Sequence, residues 1–211
     1  MSIQLQGANS VNVQADAYAG SLRKANVPRG MGYSISSVTG TVAAALTANS
    51  SVFVMRLNPG SPKLAYITEL RAQFTTIVAF TTANTAARRL EIFRGSGASA
   101  SGGTALAAAV PQSQLNAPSQ FNAAIGGDMR ISTTAALTVT GITYETQCFR
   151  SIQLATFGTA GAKYEFERRW DAPQNQPIVL LPGQLLAVRN PVAMDAAGTW
   201  TLAVDVEWYE L

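Results

Sequence analysis

Apolar and polar residues alternate with a period of two through most of the chain after residue 32. The pattern is clearest near the C-terminus, where large apolar residues occupy every second position. These residues are Trp200, Leu202, Val204, Val206 and Trp208, and the positions between them are Thr201, Ala203, Asp205, Glu207 and Tyr209. Because successive side chains of a β-strand point to opposite faces, we predict a strand with one face in a core. Its far face is then able to meet a neighbour.

Further segments share this period or are rich in β-branched and aromatic residues, and we predict them as strands. They are 33–39, 52–57, 64–74, 76–81, 89–94, 128–133, 136–140, 148–156, 164–170, 177–181 and 184–189. Within 64–74, one predicted face carries Leu64, Tyr66, Thr68, Leu70, Ala72 and Phe74, and the other carries Ala65, Ile67, Glu69, Arg71 and Gln73. No segment shows the apolar stripe of an amphipathic helix. The pattern therefore predicts an all-β protein, a single antiparallel β-sandwich that is jelly-roll-like.

Two regions depart from the alternating pattern. Residues 1–32 contain few large apolar residues and are predicted to form an extended N-terminal arm that is ordered by what it lies against. Residues 33–211 are predicted to form the sandwich domain. Within it, 95–125 begins with a Gly/Ser/Ala stretch and is predicted as a long surface excursion that touches a neighbour.

The composition favours packing against neighbours. Charged residues make up 13% of the chain, compared with roughly 25% in typical globular domains. The net charge of +3 arises from 15 cations against 12 anions. The cations occur in pairs at most, such as Arg23-Lys24, and a nucleic-acid binder usually clusters them. We therefore predict no direct contact with nucleic acid.

The chain has one cysteine, Cys148, so it cannot form an intramolecular disulfide, and we expect Cys148 to be a small buried hydrophobe. The N-terminus shows no signal-peptide pattern, and no apolar run reaches the roughly 18 residues of a membrane span. We expect a soluble protein made in the cytoplasm, with no membrane partner.

The sequence offers little for catalysis. It contains no histidine, which removes the commonest general base and the usual zinc ligand sets. Two carboxylate pairs, Glu165 with Glu167 and Asp205 with Glu207, have strand spacing that places both members on one face, and we interpret them as solvated strand faces. Calcium binding by the loop acids Asp128, Asp171 and Asp195 stays open as an alternative, although isolated single acids rarely suffice because calcium takes six to eight oxygens. We predict no enzyme activity, no cofactor and no metal.

The C-terminal third resembles a group of tailed-bacteriophage virion proteins. The resemblance rests on 180–191 (LLPGQLLAVRNP) and 198–208 (GTWTLAVDVEW), with similar stretches at 53–79 and 102–106. It implies a small β-sandwich on the phage particle, made in the host cytoplasm, of the capsid decoration (cement) type. The implied partners are copies of itself, as a homo-oligomer and most often a trimer, and the major capsid protein or other virion proteins. The resemblance carries over no binding residues.

From the residues themselves, the candidates for contact with a partner are Arg23, Lys24, Arg29, Tyr164, Trp170 and Tyr209. Trp200 and Trp208 lie on the apolar stripe and are predicted core residues. An alternative function stays open, that of a carbohydrate-binding or adhesin-type module, for example in tail-associated receptor binding. Exposure of Tyr164 and Trp170 on a concave face favours sugar binding, whereas their burial between subunits favours assembly.

Overall fold

The computed structural model describes residues 4–6, 12–14, 31–42, 46–80, 88–106, 112–113, 118–153, 160–169, 176–194 and 197–211. Their regular structure consists of β-strands and a single 3-10 turn, Ala123–Ile125. The strands are β1 (Gln4–Gln6), β2 (Asn12–Gln14), β3 (Met31–Val38), β4 (Ser50–Arg56), β5 (Ala65–Val78), β6 (Arg89–Gly97), β7 (Thr104–Ala105), β8 (Gln112–Ser113), β9 (Asp128–Ile131), β10 (Ile142–Tyr144), β11 (Arg150–Gln153), β12 (Lys163–Arg169), β13 (Ile178–Leu180), β14 (Gln184–Asn190) and β15 (Thr199–Glu210). Over these same residues, no helix is long and apolar enough to cross a membrane.

Two antiparallel sheets make up the body. The first sheet has the order β10-β6-β14-β4-β9-β7, with β11 also paired to β6. The second sheet has the order β12-β5-β15-β3-β8, with β13 also paired to β5. Strands β1 and β2 pair with each other and belong to neither sheet.

The order of the principal strands is that of a jelly roll. Taken along the chain, β3, β4, β5, β6, β11, β12, β14 and β15 alternate between the sheets except at the step from β6 to β11. Numbered one to eight in that sequence, they read 1-8-3-6 in the second sheet and 2-7-4-5 in the first. This double Greek-key arrangement confirms the predicted jelly-roll sandwich.

The main core lies between the two sheets. The apolar face predicted for the last strand is buried from Trp200 to Trp208, as the period of two requires. Trp200 stacks on Phe74 of the neighbouring strand, with ring centroids 4.9 Å apart. Both tryptophans are fully enclosed, so their assignment to the core is confirmed.

A second, smaller core covers the outer side of the first sheet. Val54 of β4 and Leu185 and Ala187 of β14 point away from the main core, yet all three are completely buried. Ala100 and Leu137, from the long connection between β6 and β11, pack over them. Strands β4 and β14 are thus buried on both faces, and this explains why their sequences are continuous apolar runs rather than alternating ones.

The surface excursion predicted at 95–125 needs correction in its described parts. Ala100 belongs to the second core, and Phe121 is fully buried in the main core. Phe121 meets Trp208 edge-on, with centroids 5.3 Å apart. Residues 95–97 form the end of β6, β7 pairs with β9 and β8 pairs with β3, so the described part of the excursion belongs to its own domain.

The unbroken alternation predicted over 64–74 is also wrong. Glu207 pairs with Glu69 while the next residue, Trp208, pairs with Ile67, so Thr68 is an extra residue in β5. This β-bulge exchanges the two faces, because one inserted residue shifts the phase of the alternation. Ala65 and Ile67 are therefore buried, and Tyr66 lies on the opposite, solvent-facing side.

Candidate functional site

The solvent-facing side of the second sheet, named here the outer face, is a continuous polar surface across four of the described strands. It is built from alternate residues of four adjacent strands, whose register aligns them in rows. The residues are Gly32, Ser34, Ser36 and Val38 of β3; Thr201, Ala203, Asp205, Glu207 and Tyr209 of β15; Tyr66, Glu69, Arg71, Gln73 and Thr75 of β5; and Lys163, Glu165, Glu167 and Arg169 of β12.

A four-membered ion-pair network lies at the centre of this face. Glu69 accepts from Arg71 Nε at 2.5 Å and from Arg169 Nε at 3.0 Å. Arg169 also meets Glu167 at 2.9 Å, and Arg71 lies 3.5 Å from the same carboxylate. The Glu69 side chain is only 9% exposed, and a carboxylate is tolerated at such burial when it is paired.

Three further carboxylates on the outer face have neutral hydrogen-bond partners or none. Ser36 Oγ donates to Asp205 at 2.5 Å, and the Gln73 amide donates to Glu165. Glu207 is exposed. Within the described residues none of Asp205, Glu165 or Glu207 forms an ion pair. The face as a whole sets five carboxylates against three cations, so its formal charge is opposite in sign to that of the chain.

Two shallow depressions lie side by side on this face, with volumes of about 300 and 210 Å³. Both are lined by Arg71 and Asp205, and the floor of the larger one includes Ala203. Sites for small molecules usually enclose most of the ligand surface. These open depressions are better suited to the side chains of an extended polymer or of a facing protein.

A stacked tyrosine pair lies at one end of the outer face. Tyr66 and Tyr209 have ring centroids 4.9 Å apart and ring planes within 3°. Burial, and to a lesser degree the neighbouring Tyr66, raises the pKa of the Tyr209 hydroxyl. On the other side of Tyr209 the register places Gly32, where an added Cβ would meet no atom within 4 Å. One side of the pair is therefore bordered by a position without a side chain.

The two predicted contact residues that the structure describes lie on opposite sides of the second sheet. Tyr209 lies on the outer face, as described above. Tyr164 is on the opposite side of β12, half-buried against the main core, and so does not contribute to the outer face. Arg23, Lys24, Arg29 and Trp170 lie outside the described residues.

The carboxylate pairs are placed as the strand spacing predicts. Glu165 with Glu167, and Asp205 with Glu207, share the outer face in contact with solvent. No group of three or more His, Cys, Asp or Glu side chains in the described part of the chain is arranged to hold a metal ion.

The loop acids give a mixed result. Asp128 begins β9 and is not in a loop; it is buried and lies 3.0 Å from Arg130 Nε. Burial raises the pKa of Asp128, and Arg130 partly offsets this. Asp171 and Asp195 are outside the described residues. Cys148 is intermediate in exposure rather than buried as expected, and partial burial raises its pKa.

The sequence analysis missed a buried carboxylate at the end of β15. Glu210 is 2% exposed and accepts from Ser119 Oγ at 2.6 Å, from the Gln120 backbone N–H at 3.0 Å and from Trp208 Nε1 at 3.1 Å. It fastens the end of the excursion to the last strand. A signal was present, because position 210 continues the buried face of Trp208 by the period of two.

A second missed feature is an arginine clamp on the outer side of the first sheet. The Arg189 guanidinium lies 3.8 Å from the ring centroid of Tyr144 and 5.2 Å from that of Phe93. The Tyr144 hydroxyl pairs with Ser51 Oγ at 2.9 Å, and burial raises the pKa of Tyr144 and lowers that of Arg189. Three different strands supply the rings and the guanidinium, so no sequence spacing could reveal the cluster.

No family model matches the chain, and no curated protein matches it either.

Proposed function

We propose that this chain is a non-enzymatic structural protein of a phage particle, a capsid decoration protein that stabilises the shell through contacts with its own copies and with the major capsid protein. The observation that carries the proposal is the jelly-roll strand order. Virus capsid domains and lectins are recurrent users of this architecture. The step from fold to function is one of analogy, and the resemblance of the C-terminal third to phage virion proteins supports it.

The outer face is too small to form a stable interface by itself, so assembly through it needs contact area from another segment. Four strands and about eight residues per strand give a surface of roughly 19 by 27 Å, or about 500 Å². A stable interface usually buries about 800 Å² on each partner. Residues 1–30, which precede β3 at the border of this face, are the natural source of the missing area.

The chemistry of the described residues favours binding over turnover. The outer-face carboxylates lie beside arginines, an amide and a hydroxyl in shallow depressions open to solvent. Catalytic carboxylates are usually set in enclosed sites that push their pKa values apart. We expect only background turnover of ester, phosphoester and glycoside substrates. A turnover that disappears in Glu165→Gln or Glu167→Gln would overturn this part of the proposal.

A second candidate, carbohydrate binding, is favoured by the stacked Tyr66 and Tyr209 beside Gly32. Both rings are partly exposed, and an aromatic ring beside carboxylates offers a sugar an apolar surface together with hydrogen-bond acceptors. A glycan array with the intact chain tests it, with Tyr209→Ala as the variant. Saturable binding to one glycan class that is lost in Tyr209→Ala would favour this candidate over the structural role.

The decisive experiment is mass spectrometry of virus particles purified from the biological source of the gene. We expect the chain at a fixed stoichiometry to the major capsid protein. Deletion of residues 2–28 should leave the sandwich folded and weaken its retention on shells in co-sedimentation. Absence of the chain from particles, together with a monomeric state by light scattering, would refute the structural role.

A further inference from the structure

We infer that the outer face receives the basic N-terminal segment of a second copy of this chain, with Arg29 beside Glu207 and Lys24 beside Glu165. The inference rests on the proposed function, since it identifies the surface on which the arm of one subunit docks in the assembly.

Charge complementarity is the first argument. Glu165, Asp205 and Glu207 project from the outer face with neutral hydrogen-bond partners or none, and all three form no ion pair within the described residues. Residues 15–30 contain three cations, Arg23, Lys24 and Arg29, and one acid, Asp16. The segment and the face therefore carry opposite net charges and equal numbers of complementary groups.

The spacing of the charges agrees as well. Glu207 and Glu165 are two rows apart along the strands and two strands apart across the sheet. With about 6.8 Å per row and about 4.8 Å per strand, their backbone positions are separated by about 17 Å. Lys24 and Arg29 are five residues apart, and an extended chain of that length also spans about 17 Å. Because an odd spacing turns two side chains to opposite sides of a regular strand, both cations reach the face only if the backbone twists between them. Arg71, which is held by Glu69 and Glu167, lies between the two carboxylates, and Asp205 lies one strand to the side of that line.

The position at which the arm joins the body favours a second copy over the same chain. Met31, the first residue of β3, pairs with Glu210 at the end of β15. From Met31, β3 runs toward Ser34, which pairs with Glu207, so the chain enters β3 at the Glu210 end of the sheet. Docking on the same body would need a full reversal within residues 29–31, whereas docking on a neighbour needs none.

The hairpin of β1 and β2 adds a second reason for a partner. Its two strands of three residues pair with each other and with no strand of the body. A lone two-stranded hairpin is marginally stable in water and gains stability only by packing on another surface. Residues 15–22, which separate the hairpin from residue 23, span at most about 32 Å, so a neighbouring subunit that holds residues 23–29 keeps the hairpin within reach.

Disulfide trapping tests the contact directly in the full chain. Cys148→Ser removes the only native thiol. Arg29→Cys and Glu207→Cys are then placed on separate chains, which are mixed and mildly oxidised. We expect a covalent dimer that needs both variants and forms at least about 10-fold faster than with Thr143→Cys, an exposed position on the first sheet.

The trapping experiment also separates the possible occupants. A double variant carrying both cysteines that closes only within one chain would show same-chain docking and overturn the inference. Trapping no faster than with Thr143→Cys would show that the arm docks elsewhere.

Charge reversal gives an independent measure in solution. Glu165→Lys with Glu207→Lys should weaken self-association, measured by light scattering, at least about 10-fold, and so should Lys24→Glu with Arg29→Glu. Mixing the two reversed proteins should restore association, whereas Thr143→Lys should leave it unchanged. A monomeric intact chain, or association unaffected by face reversal, would overturn the inference. If particles still contain the chain, the proposed function stands; if they lack it, that proposal fails by itself.

Discussion

The two sheets of this sandwich differ in what covers the side turned away from the main core. The first sheet is buried on both sides, because the connection between β6 and β11 lays Ala100 and Leu137 over Val54, Leu185 and Ala187. The second sheet is buried on one side only and presents a charged surface on the other. The comparison teaches that one half of the molecule is committed to stability and the other is left available for contact.

The strongest test of this difference is to make the same substitution on the outer side of each of the two sheets. Ala187 and Ala203 occupy central strands of the first and second sheets, but Ala187 is fully buried and Ala203 is half-exposed. Ala187→Asp buries an unpaired charge and should cost about 4 kcal/mol or more, enough to prevent stable folding. Ala203→Asp should change the free energy of unfolding by less than about 1 kcal/mol. Urea denaturation of both variants measures the difference, and similar losses would show that the sheets are equally covered.

The next largest effect is expected at the carboxylate that fastens the covering segment. Glu210→Ala leaves the Gln120 N–H and the Trp208 indole N–H without their acceptor. We expect a loss of about 3 kcal/mol in the free energy of unfolding. Glu207→Ala, three residues earlier on the exposed side, is the matched control and should cost about 0.5 kcal/mol or less. Equal costs at the two positions would contradict the role given to Glu210.

A pH-dependent effect should follow from the same region. Burial, and secondly the charge of Glu210, raises the pKa of Tyr33 from 10.0 to about 12. Between these values the unfolded chain loses this proton while the folded chain keeps it, so the Tyr33 contribution to stability falls as pH rises above about 10. The advantage of wild type over Tyr33→Phe should therefore shrink between pH 9 and 11.5 in urea titrations. A constant difference over that range would show that Tyr33 ionises normally in the fold.

The smallest effect is expected for an ion pair on the outer face. Glu167 and Arg71 are both about half exposed and lie 3.5 Å apart. Exposed ion pairs contribute little, so Glu167→Gln should lower the free energy of unfolding by about 0.5 kcal/mol or less. A loss above about 2 kcal/mol would mean that the network is structural, and the outer face would then be less free to serve as a contact surface.

The comparison also separates what could be predicted from what could not. Strict alternation in β15 identified its buried side residue by residue, and the same period explains why Glu210 is buried. The continuous apolar runs of β4 and β14 are a second pattern in the sequence, and they indicate strands buried on both sides. The bulge at Thr68 escaped prediction because an inserted residue has no mark in the local pattern until the partner strand is known.

The features of the candidate site also divide into those that the sequence could predict and those that it could not. Strand spacing predicted that Glu165 with Glu167 and Asp205 with Glu207 would share solvated faces. It could not predict that the two pairs share one face, because β12 and β15 are neighbours of β5 only in the folded sheet. The same limit applies to Tyr164 and Tyr209, which the sequence offered together and the fold places on opposite sides of the second sheet.

By itself the sequence determined the fold class. Period-two alternation, turn residues and the lack of amphipathic stripes are local properties, and they suffice to specify strands and a sandwich. Only the tertiary structure decided the jelly-roll order, the covering of the first sheet, the hydrogen bonds that Glu210 accepts and the clustering of charges on the outer face. These features depend on contacts between residues far apart in the chain. Local preference fixes which side of a strand is apolar, but the choice of neighbours is made by the free energy of packing the whole core.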